Sequence, residues 1–230
     1  AELRLFDELS NAYDYEPVFI ARAISASPAW LAKRLADEAV ETASEPLSDH
    51  IFAILEKWHG YPGDDRLRSE QAQALENWCL EFLRLLPEQR DWALSIVGTF
   101  LAQPRPDAAD GLWPCRTARR FLDELIGDDR DRQGLMRSME AAKWSERGAT
   151  SRAIGEGGEQ ERELAAQLRQ GAARIPVRYR WTRALLEQLA ARYDREAQYH
   201  DQEAEEDRWR FAMAKPSTAG KSEQSVQEDP

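Results

Sequence analysis

Residues 74–104 decide the fold class most clearly, and they read ALENWCLEFLRLLPEQRDWALSIVGTFLAQP. Their apolar side chains recur every three or four residues, which is the spacing of one face of an amphipathic helix. Pro87 and Pro104 each end a helix, because proline cannot continue the helical hydrogen-bond ladder. The two predicted apolar faces are Leu75, Trp78, Cys79, Phe82 and Leu86, then Trp92, Ile96, Val97, Phe100 and Leu101. The stretch therefore predicts two helices that bury these faces.

Four more segments before residue 145 show the same period. One helix is expected to start at Ser27 and Pro28, and another after Ser48. A third is opened by Pro114 and ended by Gly127, and a fourth follows Asp131. Their apolar faces contain Leu35, Ala36, Ala39 and Val40; Ile51, Phe52, Leu55 and Trp58; Ala118, Phe121, Leu122 and Leu125; and Leu135, Met139 and Ala142.

The chain is predicted to be all-α. Valine and isoleucine together number only thirteen, so strand-forming residues are scarce. Residues 1–144 are expected to form stacked helical hairpins, either a HEAT-like solenoid or an irregular bundle. The side chains expected to be largely inside are Trp30, Trp58, Trp78, Trp92, Phe82, Phe100, Phe121 and Leu122.

The last third of the chain predicts a different organisation. Residues 145–158 are glycine-rich and read as a linker. Residues 159–212 predict a long antiparallel helical hairpin that turns at Pro176, and residues 213–230 predict a disordered tail. The second helix, from about Val177 to Ala212, exceeds the first in length. We therefore expect its half beyond Tyr193 to protrude and to contact another chain or a missing domain.

Composition restricts the classes of partner. The formal charge is −11, which disfavours nucleic acid and anionic membranes. We find no apolar run long enough to cross a bilayer. Cys79 and Cys115 lie in apolar stretches without metal-ligand spacing, so free buried thiols and a cytoplasmic location are expected. We expect a protein partner, with no membrane or nucleic-acid partner.

Three histidines limit the catalytic chemistry that can be considered. Glu56 and His59 have the Glu-x-x-His spacing of helical metal sites, and His200 is the histidine nearest the carboxyl end. A small helical metalloenzyme using these three residues is the alternative interpretation. Di-iron bundles need two such pairs, and the chain has one. No catalytic, metal-binding or cofactor-binding residue is therefore assigned, and the expected cofactor is none.

An arginine-rich, aromatic cluster lies at the predicted bend of the hairpin. It comprises Arg174, Arg178, Tyr179, Arg180, Trp181 and Arg183. Arginine and large aromatic residues are enriched in binding hot spots, so these six are the candidate partner-binding residues. Alternatively, the two aromatic residues anchor the hairpin on the bundle while the arginines pair with Glu159, Glu161 and Glu163 or with solvent.

The segment from Lys143 to Phe211 resembles the carboxyl-terminal helical region of large multidomain bacterial proteins, including STAND-type (NACHT-like) defence ATPases. The resemblance rests on Lys143-Trp144-Ser145, Gly157-Gly158-Glu159-Gln160-Glu161, Trp181-Thr182-Arg183 and Tyr193 through Ala204. It implies a helical sensor or scaffold region whose ATPase or effector domain lies elsewhere in a longer bacterial protein. It implies no catalytic residue. The function expected from the sequence is thus a non-catalytic interaction or scaffold domain.

Overall fold

A computed structural model describes residues 27, 29, 33, 69–103, 106–107, 109–147, 153 and 156–214. These residues contain no strand, and the predicted all-α class is confirmed. The helices are α1 (Ser69–Leu85), α2 (Arg90–Ala102), α3 (Arg116–Arg120), α4 (Asp129–Ser145), α5 (Glu159–Arg174) and α6 (Arg180–Ala214). Ala29 and Lys33 are helical, but the rest of the first two predicted helices, with Trp30, Trp58, Glu56 and His59, lies outside the described residues.

The core of the described part is an irregular bundle. Helix α2 packs mainly on α4, which is not its neighbour in sequence. Trp78 brings α1 onto the bundle, with its ring centre 4.9 Å from that of Phe82 and 5.0 Å from that of Phe100. Of the predicted core side chains, Trp92 is partly buried, and the fully buried ones are Trp78, Phe82, Phe100, Phe121 and Leu122.

Two predicted helix starts are wrong by two or three residues. Helix α4 begins at Asp129, before the predicted start after Asp131, because the Asp128 carboxylate accepts hydrogen bonds from the next free amides. Helix α6 begins at Arg180, after the predicted start at Val177. The chain first makes a turn in which the Tyr179 amide donates to the Pro176 carbonyl over 2.9 Å.

A π-helical turn, Phe121–Leu125, continues α3 where the sequence predicts regular helix. The Ile126 amide donates to the carbonyl of Phe121, five residues earlier, over 3.2 Å. This wider turn keeps Phe121 and Leu122 in the core and leaves Asp123 half-buried. Asp123 thereby reaches the start of α6.

Helices α5 and α6 form the predicted antiparallel hairpin. Its two helices are joined at three levels, by Gly158 and Arg162 with Asp201, by Arg169 with Asp194, and by Gly171 near Leu186. The expectation that α6 protrudes from Tyr193 onward is wrong, because Tyr193, Ala197 and Ala204 are all buried. Asp201 contacts the start of α5, and Ala204, one turn further on, is still buried.

Close packing at the start of α5 makes a glycine necessary there. A Cβ atom on Gly158 would overlap the backbone of Ala197, whereas one on Gly171 would lie 3.6 Å from Leu186 Cδ1, an ordinary contact. Gly158→Ala should therefore lower the free energy of unfolding by about 1 to 3 kcal/mol. Gly171→Ala, the matched control in the same helix, should be neutral or stabilising. Urea titration measures both, and equal effects would contradict the close approach.

Arg147 attaches the hairpin to the bundle just after the end of α4. Its guanidinium pairs with Glu161 of α5, whose side chain is 0% exposed, and lies 5.6 Å from the ring centre of Tyr193 in α6. Trp144 contacts the same tyrosine with ring centres 4.8 Å apart. Residues 145–147 were predicted to begin the linker. In the structure the last of them, Arg147, makes a charged contact between the bundle and the hairpin.

Candidate functional site

The candidate surface lies where the chain passes from α5 into α6. We call Arg174, Arg178, Arg180 and Arg183 the arginine bend. Arg174 is the last residue of α5, Arg178 lies in the connecting turn, and the other two lie in the first turn of α6. All six candidate residues predicted from the sequence therefore lie within one short region. They differ in whether the side chain is buried against the bundle or exposed to solvent.

Asp123 fixes the position of the bend. Its carboxylate accepts hydrogen bonds from the amides of Trp181 over 2.7 Å and Thr182 over 3.1 Å, and from the Thr182 hydroxyl over 2.6 Å. These are amides that a helix start leaves without an intrahelical partner, so a side chain of the bundle caps α6. Negative charge at this end also complements the helix dipole.

The two aromatic residues of the cluster face inward. Tyr179 is buried, and Trp181 is partly buried against the core. Guanidinium groups lie beside the Trp181 ring, Arg132 at 5.6 Å and Arg180 at 5.2 Å from its centre. The structure therefore assigns both aromatics to anchoring the hairpin on the bundle, as the alternative interpretation expected, and Tyr179 offers little area to a partner.

Arg174, Arg178 and Arg180 are exposed, whereas Arg183 is half-buried. Arg178 lies 4.7 Å from the Tyr179 ring centre, and Arg174 donates to the Asp110 carbonyl over 2.8 Å. None of the four arginines pairs with a carboxylate of the described residues. Of the two options in the alternative interpretation, pairing with Glu159, Glu161 and Glu163 does not occur, because those glutamates lie at the opposite end of α5, roughly 20 Å away. An exposed Val177 (78%) sits in the middle of the bend.

His200 lies among carboxylates of its own helix. Its Nδ1 is 3.0 Å from Glu203 Oε2 and its Nε2 is 3.6 Å from Glu196 Oε1. Glu56 and His59, its partners in the metalloenzyme interpretation, lie outside the described residues. Within the described ranges, no group of three or more histidine, cysteine or acidic side chains is placed to hold a metal ion.

Asp201, next to His200, holds the start of α5. It accepts a hydrogen bond from the Gly158 amide over 2.9 Å and pairs with Arg162 over 2.7 Å. The Arg162 side chain and the Gly158 amide hold the pKa of the Asp201 carboxyl below its usual range. Both helices of the hairpin are therefore capped by aspartates from other elements, α6 by Asp123 and α5 by Asp201.

Acid should loosen the start of α5. Since the folded-state pKa of Asp201 is lowered, its charge stabilises the fold above its ordinary pKa, and this contribution vanishes as pH falls through the lowered value. The protection of the Gly158 amide against hydrogen exchange should fall over that acidic range. Asp201→Ala should lose the protection already at neutral pH, while Glu205→Ala, an exposed control on the same helix, should keep it. Protection that is independent of Asp201 would contradict this cap.

Buried titratable side chains in the bundle serve packing. Burial raises the pKa of the Cys79 and Cys115 thiols, which keeps both in the neutral form. Glu76 is buried on α1 with Arg120 Nη1 3.1 Å away, and burial raises its pKa although Arg120 lowers it. The structure thus shows the thiols in a setting that suppresses the reactive thiolate.

Three charged residues that position the bend and hairpin were not singled out from the sequence. The sequence position of Arg119 could have indicated its role, because it lies between Ala118 and Leu122 in an apolar stretch of α3, where an arginine must find buried partners. No feature of the sequence indicates the roles of Asp123 and Arg147. The position of Asp123 depends on the π-helical turn, and the contact of Arg147 depends on a long-range approach of α4 to the hairpin.

Comparison of the chain with protein-family models, curated proteins and solved structures finds no match. Among the described residues, no helix has the length and apolar content required to span a bilayer. The fold and surface define the class of the molecule: an all-helical bundle that carries a capped helical hairpin with a basic outward-facing bend.

Proposed function

We propose that this chain is a non-catalytic protein-interaction domain, a scaffold region whose contact surface is the arginine bend. The observation that carries the proposal is the cluster of four arginines within residues 174–183, a segment without a single acidic residue in a chain of net charge −11. Elsewhere arginines such as Arg90, Arg119 and Arg147 pair with carboxylates of other elements. The bend is thus a local concentration of positive charge in an acidic chain.

The chemistry of the bend favours an acidic protein surface as its partner. Arginine forms planar, paired hydrogen bonds with carboxylates, and Val177 supplies an apolar contact at the centre. The partner is a separate chain or a further domain of the same polypeptide, as the resemblance to carboxyl-terminal regions of bacterial STAND-type proteins implies. Free cysteines fit a cytoplasmic location.

The use of the charged side chains supports a non-catalytic role. Asp123 and Asp201 cap helices, Glu161 is buried against Arg147, and Arg119 binds Asp110 and two backbone carbonyls. Each of these groups holds one element of the fold against another. Their geometry therefore accounts for the buried charges without invoking a substrate.

Charge reversal of the bend tests the proposal. A tagged chain with Arg178→Glu and Arg183→Glu should retain its native partner at least about tenfold less well, equivalent to roughly 1.4 kcal/mol. The matched control reverses two exposed arginines elsewhere, Arg116→Glu and Arg137→Glu, and should retain the partner. Equal retention by both variants would contradict the proposal. Stoichiometric metal in purified protein that is lost in His200→Ala would favour the metalloenzyme instead.

A further inference from the structure

The outer face of α6 carries exposed side chains over much of its described length. Residues at intervals of three or four from Arg180 to Met213 lie opposite the buried stripe of Leu186, Leu189, Tyr193 and Ala197. On this face Ala191 is small, so another helix can approach closely around the middle of α6. Trp209 near its end is 64% exposed, a large aromatic without cover.

Charge is distributed unevenly along the same helix. Arg180 and Arg183 lie in its first turn, with Arg174 and Arg178 just before it, and residues 201–207 near its other end contain five acidic residues and no basic one. Glu206, on the outer face, pairs with Arg210 of its own helix over 3.3 Å, and both side chains are 68% exposed. Such an exposed pair contributes little, so Glu206 remains available to a partner.

These features complement one another when two α6 helices lie antiparallel. With the two-fold axis near residue 193, Arg180 of each copy lies opposite Glu206 of the other, and exposed Val177 lies opposite exposed Trp209. Arg195 then lies opposite Ala191, which leaves room for the larger side chain. A parallel pair would instead place Arg180 against Arg180 and Glu206 against Glu206, which like charges disfavour.

We propose that a second copy of this chain docks antiparallel on the outer face of α6 and forms a closed, two-fold dimer. This inference rests on the proposed role as an interaction domain and names one partner of the bend. The arrangement is isologous, because the same surface serves both copies and each contact occurs twice. Two-fold closure also limits the assembly to a dimer.

A charge swap tests the pairing by sedimentation of the complete chain over a wide concentration range. Arg180→Glu and Glu206→Arg should each weaken dimerisation at least about tenfold, since each variant places like charges together at two symmetric contacts. The double variant should dimerise again. An equimolar mixture of the two single variants should also dimerise, because the introduced charges then face each other. Arg137→Glu, an equal charge change on α4, should leave dimerisation unchanged.

Disulfide trapping tests the register independently of charge. A mixture of Val177→Cys and Trp209→Cys chains should form a disulfide between unlike chains. Neither variant alone should do so rapidly, because equivalent positions lie roughly 45 Å or more apart across the axis. The native Cys79 and Cys115 are buried and do not interfere.

A wild-type chain that stays monomeric, a double variant that does not recover, or masses that continue beyond a dimer would overturn the inference. Loss of a different native partner on reversal of Arg178 and Arg183, in a chain that does not dimerise, would leave the proposed function intact. The two failures are thus distinguishable.

Discussion

Replacing Arg119 with alanine should lower the free energy of unfolding by about 3 to 5 kcal/mol, because it removes a buried guanidinium and leaves two backbone carbonyls and the half-buried Asp110 without their donor. Arg119 is only 1% exposed. Its guanidinium donates to both oxygens of Asp110 over 2.6 and 3.0 Å, and to the carbonyls of Pro114 and Leu112 over 2.6 and 2.7 Å. One side chain therefore fixes the loop that leads into α3.

Two further variants separate charge from geometry at this position. Arg119→Lys keeps the charge but cannot make the paired contact with Asp110, so it should also be strongly destabilised. Arg116→Ala, at an exposed position in the same helix, should change stability by less than about 0.5 kcal/mol. Guanidinium chloride titration measures all three variants. A loss below about 1 kcal/mol for Arg119→Ala would show that the loop does not depend on this clamp.

Replacing Arg147 with alanine should cost about 3 kcal/mol or more, because it removes the guanidinium beside the fully buried Glu161. The variant also loses the contact of the guanidinium with the Tyr193 ring and the weaker ion pair with Glu196 over 3.8 Å. Since these contacts join α4 to both helices of the hairpin, the hairpin should exchange its amide hydrogens faster than the bundle.

The control for Arg147 is an exposed pair of the same chemistry. Arg210→Ala breaks two ion pairs near the end of α6 and should cost no more than about 1 kcal/mol. Changing both partners, Arg147→Met with Glu161→Leu, should recover much of the loss, because no charge then remains buried. Equal losses for Arg147→Ala and Arg210→Ala, measured by urea titration, would mean that the buried pair does not hold the hairpin.

Helical periodicity predicted much of the described fold, because apolar side chains that recur on one face of a helix, such as Phe82, Phe100 and Leu122, are buried in the core. It failed where a backbone detail depends on a distant contact. The π-helical turn at Phe121 has no local signal, and the start of α6 depends on Asp123, which lies 58 residues before Trp181. The expected protrusion from Tyr193 failed because the small residues Gly158 and Ala197 allow a close approach that apolar content alone does not reveal.

The composition of the sequence located the candidate surface, but it did not show which of the six residues are buried and which are exposed. Six residues of one cluster stood out from the sequence, yet Tyr179 and Trp181 pack inward while three of the four arginines are exposed. This division follows from the cap that Asp123 provides, which fixes the rotation of the first turn of α6. Sequence spacing places such residues near one another, but a cap from another element decides which of them a partner can reach.

Photo-crosslinking from the bend tests the central claim most directly. A photoreactive amino acid at position 178, in a mixture of ¹⁴N- and ¹⁵N-labelled chains within a lysate of the native cell, distinguishes crosslinks within one chain from those between chains. We predict crosslinks to acidic segments of another chain or of a further domain, with mixed-isotope products where that chain is a second copy. Crosslinks formed only within residues 1–230 of a single copy, with no mixed-isotope product and no product with another protein, would contradict the claim that this bend is an interaction surface.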